Sequence, residues 1–304
     1  MAQTKTYWLH ALTPLHVGAG TGLGFIDLPV MREKATGWPL VPGSAVKGVL
    51  ADQHEASEEK QRKASTLLTA AFGTGGEENA NAGALVFTDA RLVCLPVRSI
   101  YGTFAWITCK LALDRLKRDL EAAGEKDVPV TVAPAAEKIL LATGSVLNGD
   151  GATVYLGDLD FKLDTPPQKA TTLWAEYLKK ALFAGDDGWQ TEFQRRLAIV
   201  PEDSFNFFSE TATEVNARIK IDPNTRTVDK QHGALWYEES APAETILAGL
   251  VWCDRIPKAR QATEAEVMGL VKSSSLQIGG KATVGRGRVR FVASAAPAAA
   301  GAAR

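Results

Sequence analysis

The chain has 304 residues, of which 45% are hydrophobic and 23% charged, with a formal net charge of −1. This is the composition of an ordinary soluble globular protein with ample core, and it excludes a bulk polycation: a polyanionic partner would have to be met by local positive charge. No apolar run has the length of a membrane span, and the first residues lack a secretory apolar stretch. Cys94, Cys109 and Cys253 lie far apart without metal-ligand spacing, so the expectation is a cytoplasmic protein with reduced core thiols.

Residues 5–17 read as a strand, rich in aromatic and β-branched positions, and 18–24 as a glycine loop. A turn at Pro42-Gly43 opens a helix with Ser44 as its N-cap. Residues 58–72 are expected to form an amphipathic helix, 83–97 strand material, "TFAWIT" a short strand, and "KLALDRLKRDLEAAG" a helix ending at Gly124. Residues 125–150 are weakly patterned. "ATVYLGDLDFKLD" alternates as one strand, and helices are expected at 169–184 and 188–198. In "TEVNARIKIDPNTRTVDKQHGALWYEE", Asp222-Pro223-Asn224 separates two alternating segments, which predicts a β-hairpin. "ETILAGLVWCDR" reads as a strand, 261–274 as a helix, and "LQIGGKATVGRGRVRFV" as two strands around a glycine turn. The Ala/Pro/Gly-rich residues 293–304 are expected to be a disordered tail. Strands and helices mix irregularly with no clean linker, so the expectation is a single α+β domain over 1–292.

The glycine loops fit no nucleotide fingerprint. From Gly18 or Gly20, the last position of G-x-G-x-x-G is Leu23 or Phe25, and Gly280-Lys281 is followed by Ala282 and lacks the leading glycine of a P-loop. No H-E-x-x-H or G-x-S-x-G is present, and His10, His16, His54 and His232 show no metal-ligand spacing. The sequence offers instead three places where backbone N–H groups can meet an anion: 18–24, the helix start at Gly43-Ser44, and 279–287. Lys47 lies one turn into that helix, and Lys281, Arg286, Arg288 and Arg290 gather at the last site. Period two puts Arg286, Arg288 and Arg290 on one sheet face. Arg218 and Lys220 alternate with isoleucines in the hairpin, with Arg226 across its turn. Such rows suit a phosphate backbone and equally a solvated sheet face. Asp27, the one acid in Phe25-Ile26-Asp27-Leu28-Pro29-Val30, is open to two readings: a turn-capping aspartate before Pro29, or a functional acid held by a backbone-lined loop. Leu15-His16-Val17-Gly18 echoes Leu276-Gln277-Ile278-Gly279, which has two readings: glycines that simply end strands, favoured on the echo alone, or two strand ends set side by side.

"TPLHVGAGTGLGFIDLPVMREKATGWPLVPGSAVKGVL" resembles the N-terminal signature of the RAMP superfamily of CRISPR proteins, and "LQIGGKATVGRGRVRF" its C-terminal glycine-rich loop. With the 213–239 segment, the combination resembles the backbone subunit of the type III-B (Cmr) effector complex; residues 100–200 add little. The resemblance implies an RRM-like (ferredoxin-like) core with insertions and a thumb β-hairpin at about 205–235. It implies copies assembled with further Cmr subunits along a guide RNA, and an endoribonuclease that cuts complementary target RNA at every sixth nucleotide with a divalent metal, Mg²⁺ or Mn²⁺. Asp27 matches the family's catalytic acid and is its candidate metal ligand. His16, Lys47 and the Gly279-Gly280 loop match RNA-contacting positions, joined as RNA-binding candidates by Gly18, Gly20, Ser44, Lys281, Arg218, Lys220, Arg226 and Arg286 from the residue pattern. His16 could also shuttle a proton. Glu238 matches an acid near a neighbouring copy's cut site. Where the family often has a tyrosine after the two glutamates, this chain has Ser240. A non-catalytic scaffold of the same ribonucleoprotein, and a stand-alone enzyme processing precursor RNA, are the alternatives.

Overall fold

The computed structural model describes residues 4–22, 24–54, 65–74, 81–149, 151–164, 168–221, 225–228, 235–256 and 261–294. In chain order these form β1 (Thr4–Ala11), β2 (Leu40–Val41), α1 (Gly43–Gln53), α2 (Thr66–Phe72), β3 (Gly73–Thr74), β4 (Asn81–Ala82), β5 (Leu85–Phe87), β6 (Ala90–Arg98) and β7 (Phe104–Thr108). Next come α3 (Lys110–Ala122), β8 (Lys138–Leu141), β9 (Thr153–Leu156), β10 (Leu159–Leu163), α4 (Gln168–Leu182), α5 (Asp187–Arg196), β11 (Leu197–Ile199) and α6 (Glu202–Thr211). The chain closes with β12 (Glu214–Ile219), β13 (Leu235–Ser240), β14 (Ile246–Cys253), α7 (Glu264–Met268), β15 (Ser274–Gln277) and β16 (Arg288–Ala293).

The fold is α+β, built on a mixed sheet of 12 strands with the main path β15-β16-β1-β14-β6-β7-β11-β8-β10-β9. Its first part is antiparallel: β1 lies between β14 (Tyr7 opposite Gly249) and β16 (Tyr7 opposite Ala293), and β14 pairs with β6. From Thr6 to Ala11, β1 is buried on both faces because both are covered. Tyr7, Leu9 and Ala11 enter one core with Val46 and Leu50 of α1, Ala70 and Phe72 of α2, and Val267 of α7. Trp8 faces the other way, into a second core with Trp174 and Leu178 of α4 and Phe193 of α5. A third core under β7–β11 packs Ile107 and Ala198 against Phe205 and Phe208 of α6. All three cysteines are free and buried.

Several expectations are corrected. The first strand stops at Ala11; Pro14 brings no N–H to a ladder, and the chain resumes pairing only through bridges of Leu15 with Ala241 and of Gly18 with Val30. Ser44 is not the N-cap. Pro42 takes that position, at φ −58°, and has no side chain that can accept from the helix; Asp89 Oδ1, from outside α1, accepts the Gly43 N–H instead. The helix expected over 58–72 is present as Thr66–Phe72, capped by Ser65, and 55–64 lie outside the described residues. "ATVYLGDLDFKLD" is two strands, not one, because Gly157 at φ +52° turns the chain between β9 and β10. The helix expected over 261–274 is only Glu264–Met268, since Ser274 already pairs with Phe291.

The hairpin exists as β12 against β13, from Glu214 opposite Ser240 to Ile219 opposite Leu235. Its bounds differ from 205–235: residues 205–211 belong to α6, and the Asp222–Asn224 turn lies outside the described residues. The tail begins later than 293. Ala293 pairs with Tyr7, and Ser294 N–H donates to the Thr6 carbonyl; 295–304 lie outside the described residues. The arginine row is broken as well. β16 starts at Arg288, and Arg290 is drawn over the Phe183 ring, 4.8 Å from its centroid, at the end of α4.

Candidate functional site

The segment after β1 folds back on itself. Met31 N–H donates to the Val17 carbonyl, Ala19 N–H to Pro29, and Gly22 N–H to Asp27 at 2.8 Å, so the Gly22–Asp27 bond closes the tip of the loop. Gly22 is required there because a Cβ would stand 2.3 Å from the Ile26 carbonyl oxygen. The returning limb lies parallel to β13: Leu28 N–H donates to Tyr237, and Glu239 N–H to Leu28. This docking fixes Asp27. Its Oδ2 accepts the Tyr237 backbone N–H at 2.8 Å, while Oδ1 has no hydrogen bond among the described residues. Phe25, two residues earlier, is fully exposed at the same tip.

His16 is buried beside that limb, 6% exposed. Its Nδ1 lies 2.6 Å from the Glu239 carbonyl oxygen, which can only accept, so Nδ1 carries a proton, and in the neutral imidazole Nε2 carries the lone pair. The Nε2 edge faces glycine: a Cβ at Gly18 would stand 3.1 Å from Nε2, and one at Gly280 3.5 Å from Cδ2. Gly279, at φ +81°, packs so closely that a Cβ would meet the His16 carbonyl oxygen at 2.3 Å, and Gly280 N–H donates to that oxygen. The two echoing strand ends therefore do sit side by side, through their loops.

Two adjacent acids on β13 do different work. Glu239, with a side chain only 2% exposed, accepts Val30 N–H at 2.9 Å and Arg32 Nη2 at 2.5 Å, and so ties the Asp27 limb to the hairpin. Glu238 accepts Lys281 Nζ at 2.6 Å, Trp236 Nε1 at 2.8 Å and Arg218 Nε at 3.3 Å. Burial alone would raise its pKa. The hydrogen bonds from Lys281 and Trp236 and the Lys281 charge outweigh that, and the carboxyl is lowered to about 2. Arg286 pairs with Glu214 at 2.8 Å on the same hairpin.

The fold thus gathers Asp27, His16, Gly18, Glu238, Arg218, Gly279, Gly280, Lys281 and Arg286 at the hairpin base. Lys220 and Arg226 are exposed farther out on the hairpin, and Gly20, at φ +94°, faces open space. Ser44 and Lys47 belong to α1, where Lys47 Nζ donates to the Leu85 carbonyl and Gly43 N–H is already held by Asp89. Glu239, Arg32 and Trp236 are not evident as site residues in the sequence. The available signal was the Glu238-Glu239 pair, since period two must turn one of two neighbouring acids inward. No group of three or more His, Cys, Asp or Glu side chains able to hold a metal exists among the described residues.

The sequence profile of the RAMP superfamily matches residues 8–290. The chain belongs to the RAMP superfamily. It is 34% identical over 295 residues to the CRISPR system Cmr endoribonuclease Cmr4 of Pyrococcus furiosus, spanning 93% of this chain and 92% of that protein. It is 25% identical to the CRISPR system CMR subunit Cmr4 of Saccharolobus solfataricus, over 94% of this chain and 95% of that one. The crystal structure of oligomeric Cmr4 from Pyrococcus furiosus matches with a TM-score of 0.73 at 26% identity, covering 97% and 99% of the two chains. A chain of the type III-B Cmr-beta complex bound to cognate target RNA shares the fold at a TM-score of 0.71 and 20% identity, over 95% and 96%. In this superfamily chain the docked glycine loop, the base of the hairpin and the 279–287 loop lie against one another.

Proposed function

We propose that this chain is a backbone subunit of a type III-B effector complex, which binds guide RNA in multiple copies and cuts the complementary target RNA at regular intervals. Its relationship to the Cmr endoribonuclease Cmr4, at 34% identity over nearly full length, carries this reading. The placement of Asp27 at the tip of a loop docked beside His16 supports it. In this reading β16-β1-β14-β6, with α1 and α7 on one face, are the RRM-like core, and β12-β13 is the thumb. The partners are guide RNA, target RNA, further copies of the chain and the other Cmr subunits. No described helix is long and apolar enough to cross a membrane, and the proposed compartment is the cytoplasm.

The reaction asks little covalent chemistry of the protein. An RNA 2′-hydroxyl can attack the adjacent phosphate in line once the nucleotide is splayed out, forming a 2′,3′-cyclic phosphate as the bond to the 5′-oxygen breaks; the hydroxyl proton passes to water and the leaving oxygen takes one from water, so positioning and charge stabilisation supply most of the acceleration. A carboxylate is a weak base at neutral pH. Asp27 therefore acts by orienting the hydroxyl through the free Oδ1. His16 Nε2, with its lone pair toward the glycine cleft, accepts a hydrogen bond from the RNA. Glu238 is engaged with Lys281, Trp236 and Arg218 and has no share in the proton transfer.

A divalent cation, Mg²⁺ or Mn²⁺, fits this donor set only as an ion shared with the RNA, because among the described residues Asp27 Oδ1 is the one carboxylate oxygen near the tip without a hydrogen bond. Magnesium is commonly held by one carboxylate together with substrate phosphates. It would supply charge neutralisation at the scissile phosphate. The test is a complex reconstituted with this chain, guide and matching target. Regularly spaced target fragments are expected, and the chain alone should leave single-stranded repeat RNA intact. An intact target, or cutting of the repeat by the chain alone, would overturn the reading.

A further inference from the structure

The residues best suited to bind RNA phosphate at the hairpin base are already bound to an acid. Lys281 Nζ, Trp236 Nε1 and Arg218 Nε converge from the glycine-rich loop, β13 and β12 on one carboxylate, that of Glu238, at 2.6, 2.8 and 3.3 Å. The acid is nearly enclosed, with its side chain 8% exposed, whereas Lys281 and Arg218 are 32% and 37% exposed. The donors are thus reachable from solvent while their acceptor lies behind them. Two cations and an indole N–H around a single negative charge also make a fitting environment for a phosphodiester, which carries the same charge and offers two acceptor oxygens.

We propose that Arg218, Trp236 and Lys281 form a phosphodiester-binding site that Glu238 occupies as an internal mimic until RNA displaces it. The inference rests on the RNA-binding reading above and adds to it a named site and a brake. Displacement does not dismantle the site, because Arg286 is held to Glu214 at 2.8 Å and keeps the loop against the hairpin independently of Glu238. The backbone of Glu238 stays in place, since Asn216 remains opposite it and Leu28 remains bridged to it. Only the side chain has to swing away. The isolated chain would then bind stray RNA weakly, and a guide anchored elsewhere along the subunit would overcome the local competition.

The experiment measures binding of the full chain to a single-stranded oligouridylate at several salt concentrations, for wild type, Glu238→Gln, Lys281→Ala and the double variant. Glutamine keeps the shape and an acceptor but removes the competing charge. Glu238→Gln is expected to bind RNA about 3- to 10-fold more tightly at low salt, with a slope of log affinity against log salt steeper by about 0.7–1.4, as for one or two newly available phosphate contacts on a single strand. Lys281→Ala should abolish the gain. If Glu238→Gln binds equally or more weakly while remaining folded by circular dichroism, Glu238 is only a hairpin latch and the inference fails, with the RNA-binding reading intact. If the gain persists in the double variant, the named site is wrong. If neither protein binds RNA and the reconstituted complex carries no guide, the functional reading fails and the inference with it.

Discussion

Replacing Glu239 with alanine removes the clamp that seats the Asp27 loop. The carboxylate is 2% exposed and is shared between the Val30 N–H and the Arg32 guanidinium. Breaking a buried ion pair from one side costs about 3–5 kcal/mol. Arg32 is 25% exposed and also donates to the Gly37 and Ser209 carbonyls, so the ion-pair part falls to about 2 kcal/mol on solvent screening. The unpaired Val30 N–H adds about 1 kcal/mol. The expected loss is about 3 kcal/mol, or a fall in Tm of about 5 °C for a chain of this size. Urea unfolding measures the loss, and amide exchange locates it. Val30 and Met31 should exchange faster, while Tyr7 and Leu9 in β1 stay protected. Glu239→Gln, which keeps one acceptor, should lose about half as much. A loss below about 1 kcal/mol with unchanged exchange at Val30 would refute the clamp.

Three further outcomes are expected. Gly279→Ala should cost about 2–4 kcal/mol, because the position sits at φ +81° and the new Cβ would lie 2.3 Å from the His16 carbonyl oxygen; thermal unfolding reads it, and an unchanged Tm would contradict the packing. Glu33 is held down to about 2 chiefly by its hydrogen bond from Arg115, so its contribution is complete above the ordinary glutamate range and is lost as pH falls from about 4.5 toward 2. That contribution is at most about 3 kcal/mol; acid unfolding of Arg115→Ala should show a correspondingly flatter pH dependence in this window, and an identical profile would remove Glu33 from the account. Chelation of divalent metal should stop target cleavage by the assembled complex and leave guide retention unchanged, whereas cutting in excess chelator would eliminate the shared-cation proposal.

Periodicity and glycine spacing made much of the fold legible. β6, β7, α3 and β14 stand where their patterns put them, because each carries a strong apolar run or helical repeat, whereas β1 ends six residues before its pattern does. The misplacements have local physical reasons. Gly157 breaks an alternation that runs unchanged through the turn, Pro42 takes the cap position from Ser44, and "EDSFNFFSET" hides α6 inside what reads as hairpin approach. The site was half legible. Asp27, His16 and the Gly279-Gly280 loop stand out as motif residues, and the structure brings them together. Which of two adjacent glutamates serves the Asp27 loop and which the cations depends on how β13 lies between β12 and the returning limb, and that pairing spans more than two hundred residues of sequence. The inward turn of Arg290 onto Phe183 is of the same kind, since an alternating row does not reveal which of its members a helix covers.

The most direct test of the central claim is single-turnover cleavage of target RNA by the reconstituted complex in which every copy of this chain carries Asp27→Ala. The substitution removes a side chain whose structural part is one hydrogen bond to the Tyr237 amide, so the complex should assemble and hold guide as the wild type does. Loss of all regularly spaced cuts, by at least about 100-fold in rate, is predicted. Unchanged cutting at the same positions, with guide bound, would leave this chain an inert scaffold and place the chemistry elsewhere.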